Sequence, residues 1–389
     1  MIKLEKKEDC CGCYACMACC PVSCIEMQED NEGFLYPVVD RDKCVECSMC
    51  QKVCPTISRQ APRKPLNVYA CKNKSSEVRC KSSSGGVFSL LAEQTIAEGG
   101  TVFGACFNEK NKVIHSYTST REGLELFRGS KYVQSEVGDT YRIAEKILKS
   151  GRFVLFSGSP CQILGLRLYL KKDYSNLLTV DFICHGVPSP KVWNIYLKEL
   201  SQKHSLCGIT NINFRNKELG WTNFCFSLDF TRKKHTIHLL EPMYLNHYMR
   251  GFLFDLYLRP SCYQCPVRYL KSGSDITLGD YWGDINALGD FVDDKGISAV
   301  FLNTPSGINY FNSLTCEVQF SSYEEVLVGN KSVEKSNQEP IKRKQFYSLL
   351  EHRCFFSIIE ELTEMSFKER MKLKIMNLHI MLEKLKMIY

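Results

Sequence analysis

This 389-residue sequence has no apolar run approaching eighteen residues, so a membrane span is not expected. Its opening segment, MIKLEKKEDCCG, lacks the apolar core of a secretory signal, which points to a chain kept in the reducing cytoplasm. There is no nucleic-acid recognition motif to accompany the formal net charge of +7, and no convincing pairing of a nucleophile with a base. Nor is the chain short of hydrophobic residues: at 44% it is not wholly disordered, and its length allows two or three domains. What is abundant is cysteine. In a reducing compartment 22 cysteines are not a disulfide framework, so they point to metal or redox chemistry.

Eight of them form an internal repeat. Cys10, Cys13, Cys16 and Cys20 precede Pro21, and Cys44, Cys47, Cys50 and Cys54 precede Pro55. Both runs read C-x2-C-x2-C-x3-C-P, the spacing of bacterial two-cluster ferredoxins, in which the fourth cysteine of each run serves the other cluster. The crossed pattern assigns Cys10, Cys13, Cys16 and Cys54 to one 4Fe-4S cluster and Cys20, Cys44, Cys47 and Cys50 to a second. Zinc ribbons space their ligands as separated C-x2-C pairs, which disfavours two structural zinc sites. Cys11, Cys19 and Cys24 fall outside the repeat and read as packing thiols. GFLYPVVD (33–40) has the hairpin character expected between the two halves of such a module.

The polar, proline-containing SRQAPRKP (58–65) reads as a linker from a ferredoxin domain, 1–60, to a larger body. Beyond it, strand-like runs (101–107, 152–158, 177–184 and 298–303) alternate with helix-like segments (86–97, 138–149, 162–171 and 190–203). The pattern predicts an α/β (α+β) core, with an antiparallel hairpin inserted over 217–241. Within it, RFVLFSGSPCQILGL is a strand, a turn, and Cys161 at a helix start, where the helix dipole is expected to lower the thiol's pKa. Cys184 ends the next strand, so both fall on the carboxyl edge of a parallel sheet, where ligands collect. RPSCYQCPVR adds Cys262 and Cys265. Four thiols are enough for a third cluster, with a C-x-x-C disulfide, a zinc site and plain buried thiols as alternatives.

At this point the sequence resembles the coenzyme F420 hydrogenase/dehydrogenase beta subunits, in particular bacterial members with an N-terminal double ferredoxin. The resemblance spans 1–330 and rests on SSSGGVFSLLAE (82–93), RGSKYVQS (128–135), SGSPCQILGLR (157–167), DFICHGVPSP (181–190), SCYQCPVR (261–268), SDITLGDYWG (274–283) and DDKGISAVFLNT (293–304). It implies a flavin, usually FAD, beside a 4Fe-4S cluster held by Cys161, Cys184, Cys262 and Cys265. It further implies a flavin domain in two parts, 66–150 and 151–335. Ser84, Gly85 and Gly86 before a helix, with Ser130, Lys131, Tyr132 and Gln134, become cofactor contacts, Lys131 as a charge partner for the pyrophosphate. Asp280 and Trp282 are candidates for lining the flavin pocket. His185, beside Cys184, is a weak candidate for donating a proton to the reduced flavin.

With twelve thiolates and three cubes of core charge about +2, the net charge falls to about +1, so the basic excess offsets cofactor charge. The tail, 340–389, carries a capping box at SFKE (366–369) and then a basic amphipathic helix. Packing on its own domain is favoured there over contact with a membrane surface. The sequence thus reads as an iron-sulfur flavoprotein oxidoreductase, passing electrons between a hydride carrier or small organic substrate at FAD and a redox partner protein or ferredoxin. The competing readings are a non-catalytic electron-transfer subunit of a larger complex and a reductase in a sugar or polysaccharide pathway.

Overall fold

A computed structural model describes residues 1–204, 207–232, 235–364, 371 and 375. The expected tail helix therefore lies almost entirely outside the described residues. The chain forms two compact units, one from 1–191 with 258–338 and one from 192–257 with 339–389. The 58–65 segment does not separate units: residues 1–60 fold into the first together with the body.

In the first unit the cysteine-rich segment has two one-turn helices, α1 (Ala15–Ala18) and α2 (Met49–Lys52), and an antiparallel hairpin of β1 (Ile25–Glu29) and β2 (Leu35–Val39). GFLYPVVD is the turn and second strand of that hairpin.

An eight-stranded mixed sheet follows. Its strands are β3 (Asn67–Asn73), β4 (Thr101–Phe107), β5 (Val113–Thr118), β6 (Val154–Ser157) and β7 (Leu177–Phe182), with three more contributed after residue 258. The second unit has its own sheet of β8 (Cys207–Asn216), β9 (Cys225–Arg232) and β10 (His235–Pro242), antiparallel in the order β10-β9-β8. The expected hairpin is thus two strands of a three-stranded sheet. Trp193, Tyr196, Phe214, Tyr248 and Phe355 are packed rings in this unit's core.

The large sheet is completed by β11 (Ile276–Asp280), β12 (Ser298–Leu302) and β13 (Cys316–Ser321), in the order β13-β3-β12-β11-β7-β6-β4-β5. β11, β7, β6 and β4 are parallel; the flanking pairs are antiparallel. Because β3 runs antiparallel to β12, and β12 to β11, the carboxyl ends of β3, β4, β6, β7 and β11 share one edge. Alternation along the strands sends Val102, Leu155 and Leu178 to one face and Phe103, Val154 and Phe156 to the other, as a sheet buried on both faces requires. The first face packs on α3 (Ser76–Lys81) and α4 (Val87–Ala97), chiefly through Val87 and Leu91 of the latter. The second packs on α5 (Thr140–Lys149) and α6 (Pro160–Leu170), and the same apolar cluster runs on into Cys13, Ala15 and Ala18 of the cysteine-rich segment.

α6 begins where its sequence says it should. Ser159 and Gln162 form a capping box, and Pro160 takes the first helical position, where no amide donor is needed. Ile163 and Leu166 are then fully buried, each worth about 1.5–3 kcal/mol in apolar surface removed from water. This helix start points Cys161 across the carboxyl edge of the sheet.

Candidate cysteine-lined metal centres

Three chain segments converge at that edge. Cys161 sits in the first turn of α6, Cys184 two residues past β7, and Cys262 and Cys265 in and just after a short 3-10 helix, Pro260–Gln264. All four line one cleft, together with Cys11 and Arg268. The Val187 amide donates to Cys262 Sγ at 3.4 Å, and the Cys265 amide to Ser336 Oγ at 3.1 Å.

The expected low pKa of Cys161 is not found. A hydrogen bond with the Cys11 thiol, and then burial, push Cys161 well above its usual range. The cap residue pulls weakly the other way, with Ser159 Oγ 3.3 Å from Cys161 Sγ, while Gln162 Oε1 accepts from the Ser159 amide and hydroxyl and Gln162 Nε2 donates to Ser135 Oγ. Burial raises Cys184 and Cys265, and lifts Cys262 to about 12. Thiols held this high shed their protons to a metal rather than to water.

Of the ferredoxin-type cysteines, one crossed set lines a common pocket. Cys10, Cys13, Cys16 and Cys54 line a second, smaller pocket with Ile2, Met27 and Pro37, so the last cysteine of the second run lies with three of the first. In the other set, the Ile2 amide donates to Cys50 Sγ at 3.0 Å, and Cys20 Sγ lies 3.5 Å from Cys24 Sγ. Cys44 is part-buried and Cys47 is exposed. The cysteines outside the repeat are more than packing. Cys11 hydrogen-bonds with both Cys13 and Cys161, and Cys24 with Cys20 and Cys44; Cys19 donates to the Cys16 carbonyl. One helical turn beyond Cys161, Gly165 presses on Cys13, and a Cβ there would stand 3.1 Å from that thiol. The first set and the cleft are thus joined by α6 and by Cys11.

Two arginines adjoin these thiols. Arg259 is fully buried: Nε donates to Cys10 O, Nη1 to Gln134 Oε1, and Nη2 to Leu35 O and, at 3.5 Å, to Cys10 Sγ. Arg268, also buried, donates to the carbonyls of Cys184, His185 and Ser332. Among the described residues neither has a carboxylate partner. A buried guanidinium without one costs several kcal/mol unless an anion offsets it, and thiolates around an iron-sulfur core are such an anion. No three Cys, His, Asp or Glu side chains among the described residues converge tightly enough to hold a single metal ion.

The residues assigned to the flavin lie along the same sheet edge, with their groups variously engaged. Ser84 Oγ donates to the carbonyls of Ile297 and Gly279. Gly85 packs where a Cβ would stand 2.3 Å from Cys71 O, so close backbone approach to β3 and β12 already demands glycine there. Gly86 caps α4 in the left-handed conformation. The Ser130 amide and hydroxyl both donate to Ser83 Oγ. Lys131 aims its ammonium at the carbonyls of Leu126, Arg128 and Gly129, which commits the charge expected for a pyrophosphate to its own loop; burial lowers its pKa to about 7. Gln134 sits apart from the glycine turn, donating to Cys11 O and accepting from Arg259. Tyr132 precedes it on the same loop. Asp280 closes β11, and the Trp282 amide donates back to its carbonyl. His185 Nε2 lies 3.0 Å from Asn337 Nδ2.

The sequence reading missed Arg259, Arg268 and a buried polar chain in which His115 meets Ser135 Oγ at 2.9 Å and the Ser157 carbonyl at 3.1 Å. Burial drives the His115 pKa down to about 4, so this ring is neutral and braces the turn ahead of Cys161. No helix among the described residues is long and apolar enough to cross a membrane.

Several likenesses to known proteins bear on this chain. A curated relative, an uncharacterized protein in the rpl9-rpl11 intergenic region of Porphyra purpurea, is 40% identical over 53 residues, 13% of this chain and 68% of its own. A chain of the F420-reducing [NiFe] hydrogenase complex from Methanosarcina barkeri, solved in a xenon-derivatized form, shares 18% identity and a TM-score of 0.45, covering 70% of this chain and 88% of its own. The family profile for the C terminus of the coenzyme F420 hydrogenase/dehydrogenase beta subunit matches residues 151–325, the span that contains Cys161, Cys184, Cys262 and Cys265. Over that span, a little under half of the chain, the sequence is similar to the coenzyme F420 hydrogenase/dehydrogenase beta subunit family.

Proposed function

We propose that this chain is an iron-sulfur flavoprotein oxidoreductase with three 4Fe-4S clusters and FAD, exchanging electrons between a hydride carrier or small organic substrate and a one-electron protein partner. The observation that carries the reading is the convergence of Cys161, Cys184, Cys262 and Cys265 on one cleft, linked through Cys11 to the set of Cys10, Cys13, Cys16 and Cys54. The two N-terminal sets form a ferredoxin-like domain. FAD, when bound, converts a two-electron hydride into single electrons.

The chain's own residues supply position and charge. Ser159 and Gln162 fix the helix start that presents Cys161, and Arg268 holds the Cys184–His185 turn by its carbonyls. Ser84 to Gly86 offer backbone at the sheet edge to the cofactor, while Lys131 shapes the neighbouring loop. Asp280 and Trp282 end the adjoining strand. His185 follows Cys184, with its carbonyl accepting from Arg268 and Asn337.

Anaerobically purified protein should carry about twelve iron and twelve acid-labile sulfide per chain and release FAD on acid extraction. Cys161→Ser should remove about a third of the iron while flavin remains. Eight irons in the wild type would strike out the third cluster, and stoichiometric zinc would overturn the redox reading. Twelve irons without flavin would instead make the chain an electron-transfer subunit.

A further inference from the structure

The two N-terminal cysteine sets come from the same motif written twice, yet among the described residues only one of them meets a buried cation. Arg259 belongs to neither motif and lies 249 residues from Cys10. Its side chain still reaches that cysteine twice, through Nε to the carbonyl and Nη2 to Sγ. The guanidinium stacks over the Tyr36 ring at 4.3 Å, and Nη1 is held by Gln134, so its position is fixed on every side. Gly12 is shaped to admit it, since a Cβ there would fall 2.8 Å from Nη1. The backbone of Arg259 serves the other site: its carbonyl accepts from the Cys262 amide at 2.8 Å, starting the turn that carries Cys262 and Cys265. One residue therefore clamps the first cysteine set with its side chain and shapes the cleft's cysteine loop with its main chain.

A four-iron cube held by four thiolates is an anion that gains one more negative charge on reduction. A fixed positive charge at one of those thiolates, in a water-poor interior, stabilises the reduced state more than the oxidised one. We propose that Arg259 is a positioning residue that raises the redox midpoint of the cluster held by Cys10, Cys13, Cys16 and Cys54, leaving its twin at Cys20, Cys44, Cys47 and Cys50 unaffected. The inference rests on the cluster reading above and deepens it. The repeat yields two chemically inequivalent clusters, and the one nearer Cys161 carries the added charge.

The test is EPR-monitored reduction of the whole protein at a series of fixed solution potentials, in the wild type, Arg259→Gln and Arg259→Lys. With the charge removed in Arg259→Gln, one N-terminal cluster should show its ratio of reduced to oxidised form fall on the order of tenfold or more at a given potential. The other should keep its midpoint and certify the fold. Arg259→Lys loses the planar fork toward Leu35, Gln134 and Cys10 but keeps the charge, so it should stay near the wild type. If lysine behaves like glutamine, Arg259 is only a structural clamp and the proposal fails. It fails as well if both N-terminal clusters shift together or neither does. Should Arg259→Gln not fold, Arg259→Met supplies the uncharged comparison, with the same outcomes deciding. A wild type without these cluster signals would overturn the cluster reading itself, an outcome distinct from an unshifted midpoint.

Discussion

The two copies of C-x2-C-x2-C-x3-C-P share their spacing and differ in nearly everything around it. The first run is set into the α5 and α6 layer. Cys13 is buried beneath Gly165, Arg142 donates to the carbonyls of Met17 and Ala18, and Arg259 reaches Cys10. The second run opens outward, with Cys47 exposed and Val45 60% exposed beside it. Spacing decides which thiols share a site; the surrounding elements decide whether that site faces the protein or the solvent. Under the proposed function the pair would be an inner and an outer station of one path, with Cys11 lining both the inner pocket and the cleft.

Exchanging single ligands between the copies breaks this comparison most sharply. Cys54→Ser should empty the inner site although the residue belongs to the second run, and Cys20→Ser should empty the outer site although it belongs to the first. Each should remove about four irons per chain, and EPR should show a different signal lost in each. If Cys54→Ser and Cys50→Ser erase the same signal, the crossed assignment is wrong.

A smaller effect sharpens the contrast of inside and outside. A hydrophilic iron chelator or ferricyanide should bleach the outer cluster first, on the order of tenfold faster than the inner, because attack follows exposure. Equal rates would mean that the burial seen at the inner set opens readily in solution.

The smallest effect is a control far from both copies. Buried Arg79 makes a two-pronged contact with Asp293, and that hydrogen bonding holds the Asp293 pKa down to about 2. Asp293→Asn should leave every cluster in place and cost about 1–2 kcal/mol in denaturant unfolding at neutral pH. Because the folded pKa lies below the ordinary value of 3.8, the stabilisation is complete above that pH and disappears as the pH falls toward 2. A wild-type advantage that persists at pH 2 would contradict this account.

Much of the core was legible because its signals are local. β4, β6, β7 and β12 are near-continuous apolar runs, and α4, α5, α6 and the helix Pro190–His204 fall within a few residues of their expected bounds. β5 and β13 were not read as strands, since both are edge strands of half-polar sequence whose identity depends on a partner strand that local pattern does not reveal. The discontinuous second unit was hidden for the same reason. At the site, spacing and strand ends brought the twelve cysteines into view. Arg259 stayed invisible because nothing in RPSC distinguishes an arginine bound to Cys10 from one in solvent. Cys161 misled in the opposite sense. A helix start suggests a low pKa, but burial and the Cys11 thiol prevail once the tertiary neighbours are present.

The wide separation of Arg259 from Cys10 also has a consequence in time. Translation at about 5–20 residues per second leaves roughly 10–40 s between the appearance of Cys54 and that of Cys265. Through that interval both repeated motifs are complete, whereas the cleft gains its four thiols only in stages and the inner set waits until residue 259 for its guanidinium. Cofactor insertion on a nascent chain would therefore begin at two equivalent sites. They become unequal in charge only when synthesis reaches residue 259, so that part of their difference is imposed by a segment made after α6 and before the last three strands of the sheet.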